Sequence, residues 1–195
     1  LPLQIKYFTE NHITTLRSMN TLALIYTQLL KYQLAEELSN KALTISEHVL
    51  GKEHYETLRI INNVALLYFN QKKFFEAKEL YEKCLNSCNI KFGEESPNTL
   101  AVMHNLAMSL EELGDLSRAR EIYLDCMNKR RKVLGEEHIE TIRAETCYLL
   151  LLIKEEINEE NRLKCFACYE HCVKALGETH SITVTFFNGA MKLFE

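Results

Sequence analysis

Residues 165–172 hold the grouping that comes closest to a chemical site. Cys165, Cys168 and Cys172 are spaced by three and then four positions, and His171 stands next to the last of them. Thiolates and imidazoles are preferred zinc ligands, so a metal site is one interpretation. The same spacing also places the cysteines along one side of a helix. Because they fall in columns shared with apolar residues, we interpret them as small buried side chains, and we predict no metal and no cofactor.

Histidine, the commonest acid–base side chain, returns in one register of the chain. His12, His54, His138 and His180 are separated by 42 residues or a multiple of 42, and Ser96 takes the remaining position. A residue that recurs at each helix start is typical of a structural role in the turn, such as capping. The sequence contains neither a glycine-rich phosphate loop nor a Gly-x-Ser-x-Gly elbow. We therefore predict that the chain is not an enzyme.

The same interval organises the whole sequence. Threonine returns every 42 residues, at Thr15, Thr57, Thr99, Thr141 and Thr183. Self-similarity at a fixed period of this length indicates a stacked repeat. In the third copy, apolar residues at helical spacing lead up to Gly114, and a second apolar stripe begins at Leu116. Each copy is therefore predicted to be two amphipathic helices joined by a short turn.

We predict a single repeat array over residues 1–195. Residues 1–9 align with the end of a preceding copy, and 178–195 with the first helix of a fifth. The four full copies between them are 10–51, 52–93, 94–135 and 136–177. Small residues line up where two helices must approach closely, as at Ala65 and Ala107 on first helices. The fourth copy departs from this pattern, with Leu149 and Asn161 in small-residue columns.

Composition narrows the class of function. The 195 residues are 47% hydrophobic and 26% charged, which is ordinary for a globular chain. A net charge of −4 argues against nucleic acid as a partner. The longest apolar run is too short to cross a bilayer, so membrane insertion is not expected. Seven cysteines, an odd number, suit a reducing compartment and predict a cytoplasmic protein.

The columns of small and large residues that recur every 42 positions resemble those of the tetratricopeptide repeat. The long repeats of this chain contain Leu-Gly-x-x-His at 50–54, 134–138 and 176–180, which is similar to the repeats of kinesin light chain. The stretch from Asn62 to Tyr68, Asn-Asn-Val-Ala-Leu-Leu-Tyr, also resembles a helix of that family. The resemblance implies an all-α, tetratricopeptide-type α-solenoid, a right-handed superhelix of helix–turn–helix repeats. It also implies a scaffold that binds other proteins, similar to a motor-cargo adaptor.

In the family, the first helix of each pair lines a concave groove that holds a peptide. Carrying these columns over gives twelve candidate peptide-binding residues: Arg17, Asn20, Thr21, Leu24, Arg59, Asn62, Asn63, Leu66, His104, Asn105, Met108 and Arg143. Asparagine amides can pair with any peptide backbone, and arginine forks suit carboxylates. Leucine and methionine could seat an apolar anchor. The predicted ligand is therefore an acidic, partly apolar segment of another protein.

Two alternatives stay open at this stage. The arginines could simply pair with nearby glutamates on a solvated face. The chain could also be a self-association module, or an intramolecular regulatory module of a larger signalling protein. Phe186, Phe187 and Phe194 make the segment 181–195 apolar enough for end-to-end self-association.

Overall fold

The structure, a computed structural model, describes residues 11–194, and all regular secondary structure in that range is helical. The helices are α1 (Ile13–Gln28), α2 (Tyr32–Leu50), α3 (Tyr55–Asn70), α4 (Phe74–Phe92), α5 (Pro97–Glu112), α6 (Leu116–Leu134), α7 (Ile139–Glu155), α8 (Glu159–Leu176) and α9 (Ser181–Phe194). The predicted all-α class is confirmed. The predicted end of a preceding copy, 1–9, lies outside the described residues.

The helix boundaries follow the period of the sequence. First helices begin at Ile13, Tyr55, Pro97, Ile139 and Ser181, each 42 residues after the one before. Each second helix is followed by a glycine, and Gly51 and Gly135 have φ angles of 90° and 89°. Side chains are strained in this left-handed region and glycine is not, so these glycines end the second helices.

The described residues form two compact units, divided in the sequence after Ser109, within α5. In the first unit α1 packs on α2, α3 packs on α4, and α3 also contacts both α1 and α2. Met19, Ala42, Ile60 and Val64 form a core cluster at these contacts. Helix hairpins of the predicted kind therefore build this unit. A single array over the whole chain stays a prediction.

Small residues are buried where the sequence predicted close helix approach. Ala65 on α3 and Ala107 on α5 are fully inaccessible to solvent, as are Ala35 and Ala77 on the second helices. Protein interiors are close-packed, so a larger side chain at these positions would force neighbouring helices apart. The alanines that recur every 42 residues therefore mark the positions where helices pack closely against each other.

In the second unit α7 packs on both α6 and α8, and α9 packs on both α7 and α8. The fourth copy departs from the period here: α7 runs to Glu155 and α8 begins at Glu159, each one residue later than in the earlier copies. Leu149 and Asn161 are nevertheless buried in the small-residue columns. Asn161 Nδ2 donates to the carbonyl of Glu156 at 2.9 Å, which satisfies its buried amide.

Candidate peptide-binding site

Eleven of the twelve candidate residues lie on the first helices of the first unit, and Arg143 lies on α7 of the second. Arg17 and Thr21 on α1 are exposed, and most of the others are half-buried. Half-buried side chains retain atoms that a ligand can touch while their stems are held by packing. We call the accessible candidates on α1, α3 and α5 the first-helix face of the first unit; that this face binds a peptide stays a prediction.

Two of the candidates lie beneath this face. Asn20 on α1 and His104 on α5 are 1% and 7% exposed, respectively. Neither can contact a ligand unless covering atoms move away. In this structure these two residues support the face from within, and the residues on either side of them form its surface.

A buried carboxylate that the sequence analysis missed organises the charge of the face. Glu56, in the first turn of α3, is only 1% exposed. Its Oε1 accepts from Arg17 Nε at 2.6 Å, and its Oε2 accepts from Arg59 Nε at 3.0 Å and from Arg59 Nη2 at 2.8 Å. A buried carboxylate needs such partners to offset its desolvation. Two guanidinium groups share one carboxylate, so the cluster carries a net charge of about +1.

The same Glu-x-x-Arg spacing recurs in the second unit. Arg143 Nη1 lies 3.3 Å from Glu140 Oε1, and Arg130 Nη2 lies 3.4 Å from Glu140 Oε2. Arg130 is 3% exposed and also donates to the backbone carbonyl of Glu140 at 2.8 Å. The basic run 129–132 therefore contributes a buried structural arginine. The motif at 56–59 and 140–143 is the sequence signal that could have identified the glutamates.

Three asparagines link α3 to α5 across the face. Asn105 Nδ2 donates to Asn62 Oδ1 at 3.1 Å, and Asn62 Nδ2 donates to Asn63 Oδ1 at 3.4 Å. Within the described residues, Asn63 Nδ2 and Asn105 Oδ1 make no hydrogen bond. An open donor and an open acceptor match the C=O and N–H of a peptide unit.

A small cavity lies beside these asparagines. Its volume is about 40 Å³, and its polar lining comes from Arg59, Asn62 and Asn98. Tyr55 and Phe92 contribute apolar walls, with ring centroids 5.9 Å apart in an edge-to-face contact. The cavity therefore joins a cationic side chain and amides to an aromatic rim.

The periodic histidines are structural, as predicted. The backbone N–H of Glu56 donates to His54 Nδ1 at 3.1 Å, and that of Glu140 donates to His138 Nδ1 at 3.1 Å. His12 and His180 accept in the same way at the starts of α1 and α9. Each ring uses its Nδ1 lone pair on the helix start, so that nitrogen is not available as a general base.

The cysteines of α8 belong to the core of the second unit. Cys165, Cys168 and Cys172 are buried in one cluster with Phe186 and other apolar residues. Burial raises the pKa of Cys165 to about 11, which keeps the thiol protonated and disfavours metal binding. In residues 11–194 no group of three or more histidine, cysteine or acidic side chains is arranged to hold a metal ion. The interpretation of these cysteines as packing residues is confirmed.

The family model of the tetratricopeptide repeat matches residues 14–68 and 56–132, more than half of the chain. The chain therefore belongs to the tetratricopeptide repeat family. None of the curated proteins matches it in sequence. No helix within residues 11–194 is long and apolar enough to span a membrane.

Solved structures share the fold. The nearly identical TPR-like repeats of a candidate kinesin light chain from Podosopora anserina align with a TM-score of 0.78 and 23% identity, covering 94% of this chain and 87% of that one. A variant of those repeats gives 0.79 and 22%, covering 96% and 87%. BtubC (BKLC) from P. vanneervenii gives 0.70 and 17%, covering 91% and 74%. The predicted tetratricopeptide-type α-solenoid is confirmed, as is the likeness of its fold to kinesin light chain-type repeats.

Proposed function

We propose that this chain is a protein-interaction scaffold that binds an acidic, partly apolar segment of another protein on the face of α1, α3 and α5. The observation that carries the proposal is the open amide pair, Asn63 Nδ2 and Asn105 Oδ1, beside a cluster of net positive charge. The amides would hold the peptide backbone, and the guanidiniums would attract its carboxylates.

Apolar residues one helical turn further along complete the face. Leu24, Leu66 and Met108 occupy equivalent positions on α1, α3 and α5, and each is half-buried. A row of such side chains can seat an apolar anchor of the ligand, and methionine adapts to its shape. The likeness to kinesin light chain-type repeats supports a role as an adaptor. All seven cysteines carry free thiols, which supports a cytoplasmic location.

The test is a charge change that preserves shape. Asn63→Asp keeps the acceptor for Asn62 but replaces the open donor by a negative charge. Asn40→Asp makes the same change at an exposed position on α2. We expect Asn63→Asp to weaken a fluorescein-labelled acidic peptide by roughly 3- to 10-fold, because like charges repel at short range. Fluorescence anisotropy measures the affinity, and Asn40→Asp should match the wild type. If the wild type, Asn63→Asp and Asn40→Asp all bind the peptide with equal affinity, the peptide does not bind on this face.

Self-association is the second candidate. An apolar cavity of about 420 Å³ lies between α8 and α9, lined by Phe166, Tyr169, Phe187 and Met191 among others. The equivalent cavity one repeat earlier, 42 positions back, is lined by residues that include Met127 and Leu149. In that repeat the next helix along the chain, α8, contributes Lys164 and Cys168 to the cavity. By analogy, a helix from a second copy would lie across the groove between α8 and α9.

A further inference from the structure

Two buried thiols on α4 form a pair. Cys84 and Cys88 are four residues apart on the helix, and each is 1% exposed. Their Sγ atoms lie 4.0 Å apart, which is a hydrogen-bond distance for sulfur. Cys84 Sγ also donates to the backbone carbonyl of Leu58 at 3.5 Å. The two thiols therefore contact each other directly and are held in place from α3.

The two members of the pair differ in acidity. When Cys88 loses its proton, the S–H of Cys84 can donate to the thiolate, and this hydrogen bond lowers the pKa of Cys88 although burial opposes the shift. The same hydrogen bond, together with burial, raises the pKa of Cys84. Because the thiolate is the reactive form of cysteine, Cys88 is the nucleophile of the pair and Cys84 is its hydrogen-bond donor.

The cavity of about 40 Å³ beside the asparagines reaches Cys88 and not Cys84. It lies where the third copy has Asn98 and Ala101, which are smaller than the glutamate and arginine found 42 positions earlier. The cavity is partly open to solvent. One water-sized group needs roughly 10–15 Å³ by such a measure, so the cavity has room for about three. A hydrogen peroxide molecule, with its two oxygen atoms, fits this space.

A second pair in the same register provides a comparison within the chain. Cys168 and Cys172 on α8 stand 84 residues after the first pair, and a hydrogen bond from Cys168 lowers the pKa of Cys172. Cys172 is fully buried in the core cluster of the second unit. The cavity beside this pair is lined by Cys168 and not by Cys172. The two pairs therefore share their chemistry and differ in which sulfur a small molecule can reach.

We propose that Cys88 is a modification site for hydrogen peroxide, which enters the cavity and oxidises the sulfur to a sulfenic acid. The thiolate sulfur attacks one oxygen of the peroxide, the O–O bond breaks, and the leaving hydroxide takes a proton from solvent to become water. The sulfur gives up two electrons, and the peroxide is reduced. Amides of Asn62 and Asn98 line the cavity and can hold the added oxygen. Small thiols reverse the oxidation.

The helix prevents the usual next step, condensation of the sulfenic acid with the second thiol. A disulfide needs Cβ atoms about 3.5–4.5 Å apart. Residues four apart on a helix have Cβ atoms about 5–6 Å apart. The sulfenic acid of Cys88 therefore persists beside Cys84 as long as α4 stays helical.

The test locates the first cysteine to react. The reduced protein receives a pulse of hydrogen peroxide, which catalase stops, and is then denatured in excess dimedone, which labels sulfenic acids. Mass spectrometry with peptide fragmentation measures the label at each cysteine. We expect Cys88 to react at least about 10-fold faster than Cys172 or Cys147. Cys147 is the control for exposure, since it is half-buried while the other cysteines are buried, but burial raises its pKa to about 11.

Variants of the partner thiol test the hydrogen bond. Cys84→Ala removes the donor and should slow oxidation of Cys88 by about 5- to 10-fold. Cys84→Ser keeps a hydroxyl donor and should stay within about 2-fold of the wild type. Cys168→Ala is the matched control in the second pair and should leave the rate at Cys88 unchanged. Thermal unfolding shows that each variant is folded.

Reagent size separates entry through the cavity from opening of the helix. Relative to its rate with the chain unfolded in urea, tert-butyl hydroperoxide should react at Cys88 at least about 10-fold more slowly than hydrogen peroxide, because it is too large for the cavity. Equal relative rates for the two peroxides would overturn the site. Labelling of Cys147 or Cys172 as fast as Cys88 would also overturn it, and equal rates for Cys84→Ala and Cys84→Ser would contradict the role of the pair.

Discussion

Glu56 sets how much positive charge the face of α1, α3 and α5 presents. Its carboxylate is inaccessible to solvent and is shared by Arg17 and Arg59, whose side chains are 54% and 32% exposed. Arg17 and Arg59 therefore pair with a glutamate, as the alternative interpretation held, but this glutamate is buried and does not lie on a solvated face. Since one carboxylate cannot neutralise two guanidiniums, the pairing orients the arginines and leaves the cluster with a net charge of about +1.

Removing this one charge should separate stability from binding. Glu56→Gln keeps the size of the side chain but loses both charge-assisted contacts, so we expect unfolding free energy to fall by about 1–3 kcal/mol in urea denaturation. Affinity for an acidic peptide should rise, because the cluster gains a unit of positive charge. The matched control, Glu53→Gln, changes an exposed glutamate nearby and should shift stability by less than about 0.5 kcal/mol. A fall in affinity for Glu56→Gln would contradict this assignment of charge.

At the scale of the helices, repeated caps define where each hairpin begins. Histidine caps α1, α3, α7 and α9 through Nδ1, and Ser96 caps α5 by accepting from the N–H of Thr99 at 3.2 Å. A cap satisfies a backbone donor that the helix leaves unpaired. The histidine in each Leu-Gly-x-x-His motif therefore caps the helix that follows it.

Cap removal tests this role. His54→Ala should lower the unfolding free energy by about 0.5–2 kcal/mol, because the N–H of Glu56 loses its acceptor. His54→Asn should retain most of the stability, since asparagine also caps. His48→Ala, at an exposed position in the last turn of α2, should change it by less than about 0.5 kcal/mol. Thermal or urea unfolding measures all three. Equal losses for the alanine and asparagine variants at position 54 would show that capping is not what His54 contributes.

The helices could be predicted because their signals are local. Caps, terminal glycines and apolar stripes lie within a few residues of the structure that they specify, and the period repeats them. The sequence also showed that the fourth copy departs from the repeat at Leu149 and Asn161. It did not show that α8 begins one residue later than the 42-residue period predicts. That shift depends on how buried side chains fit together, which a column of residue types does not specify.

Helices α8 and α9 carry a large surface of exposed apolar side chains. Phe166 and Leu163 are each 62% exposed, and Phe187 and Met191 are each 44% exposed. Contiguous apolar patches on soluble proteins usually mark contact sites. The first-helix face lies in the first unit and this patch in the second, so each candidate function is assigned to one compact unit.

Self-association should disappear when this patch is made charged. We expect Phe187→Glu to keep the protein monomeric across a concentration series in which the wild type becomes larger, because a glutamate cannot be buried in an apolar contact without cost. Phe75→Glu alters a phenylalanine on α4 that is 57% exposed and serves as the control. Size-exclusion chromatography with light scattering measures the mass. A wild type that stays monomeric at every concentration would exclude this candidate.

The sequence by itself determined the helix pairs, their period, their caps and the positions of the candidate columns, because each follows from residue type and spacing along one helix. Only the tertiary structure decided which of those residues are accessible. It buried Asn20 and His104, placed Glu56 between two arginines, and opened a cavity where Asn98 and Ala101 replace their larger counterparts. The burial of these residues and the pairing of Glu56 with Arg17 depend on atoms from helices about 40 residues apart, and no pattern within a single helix contains that information.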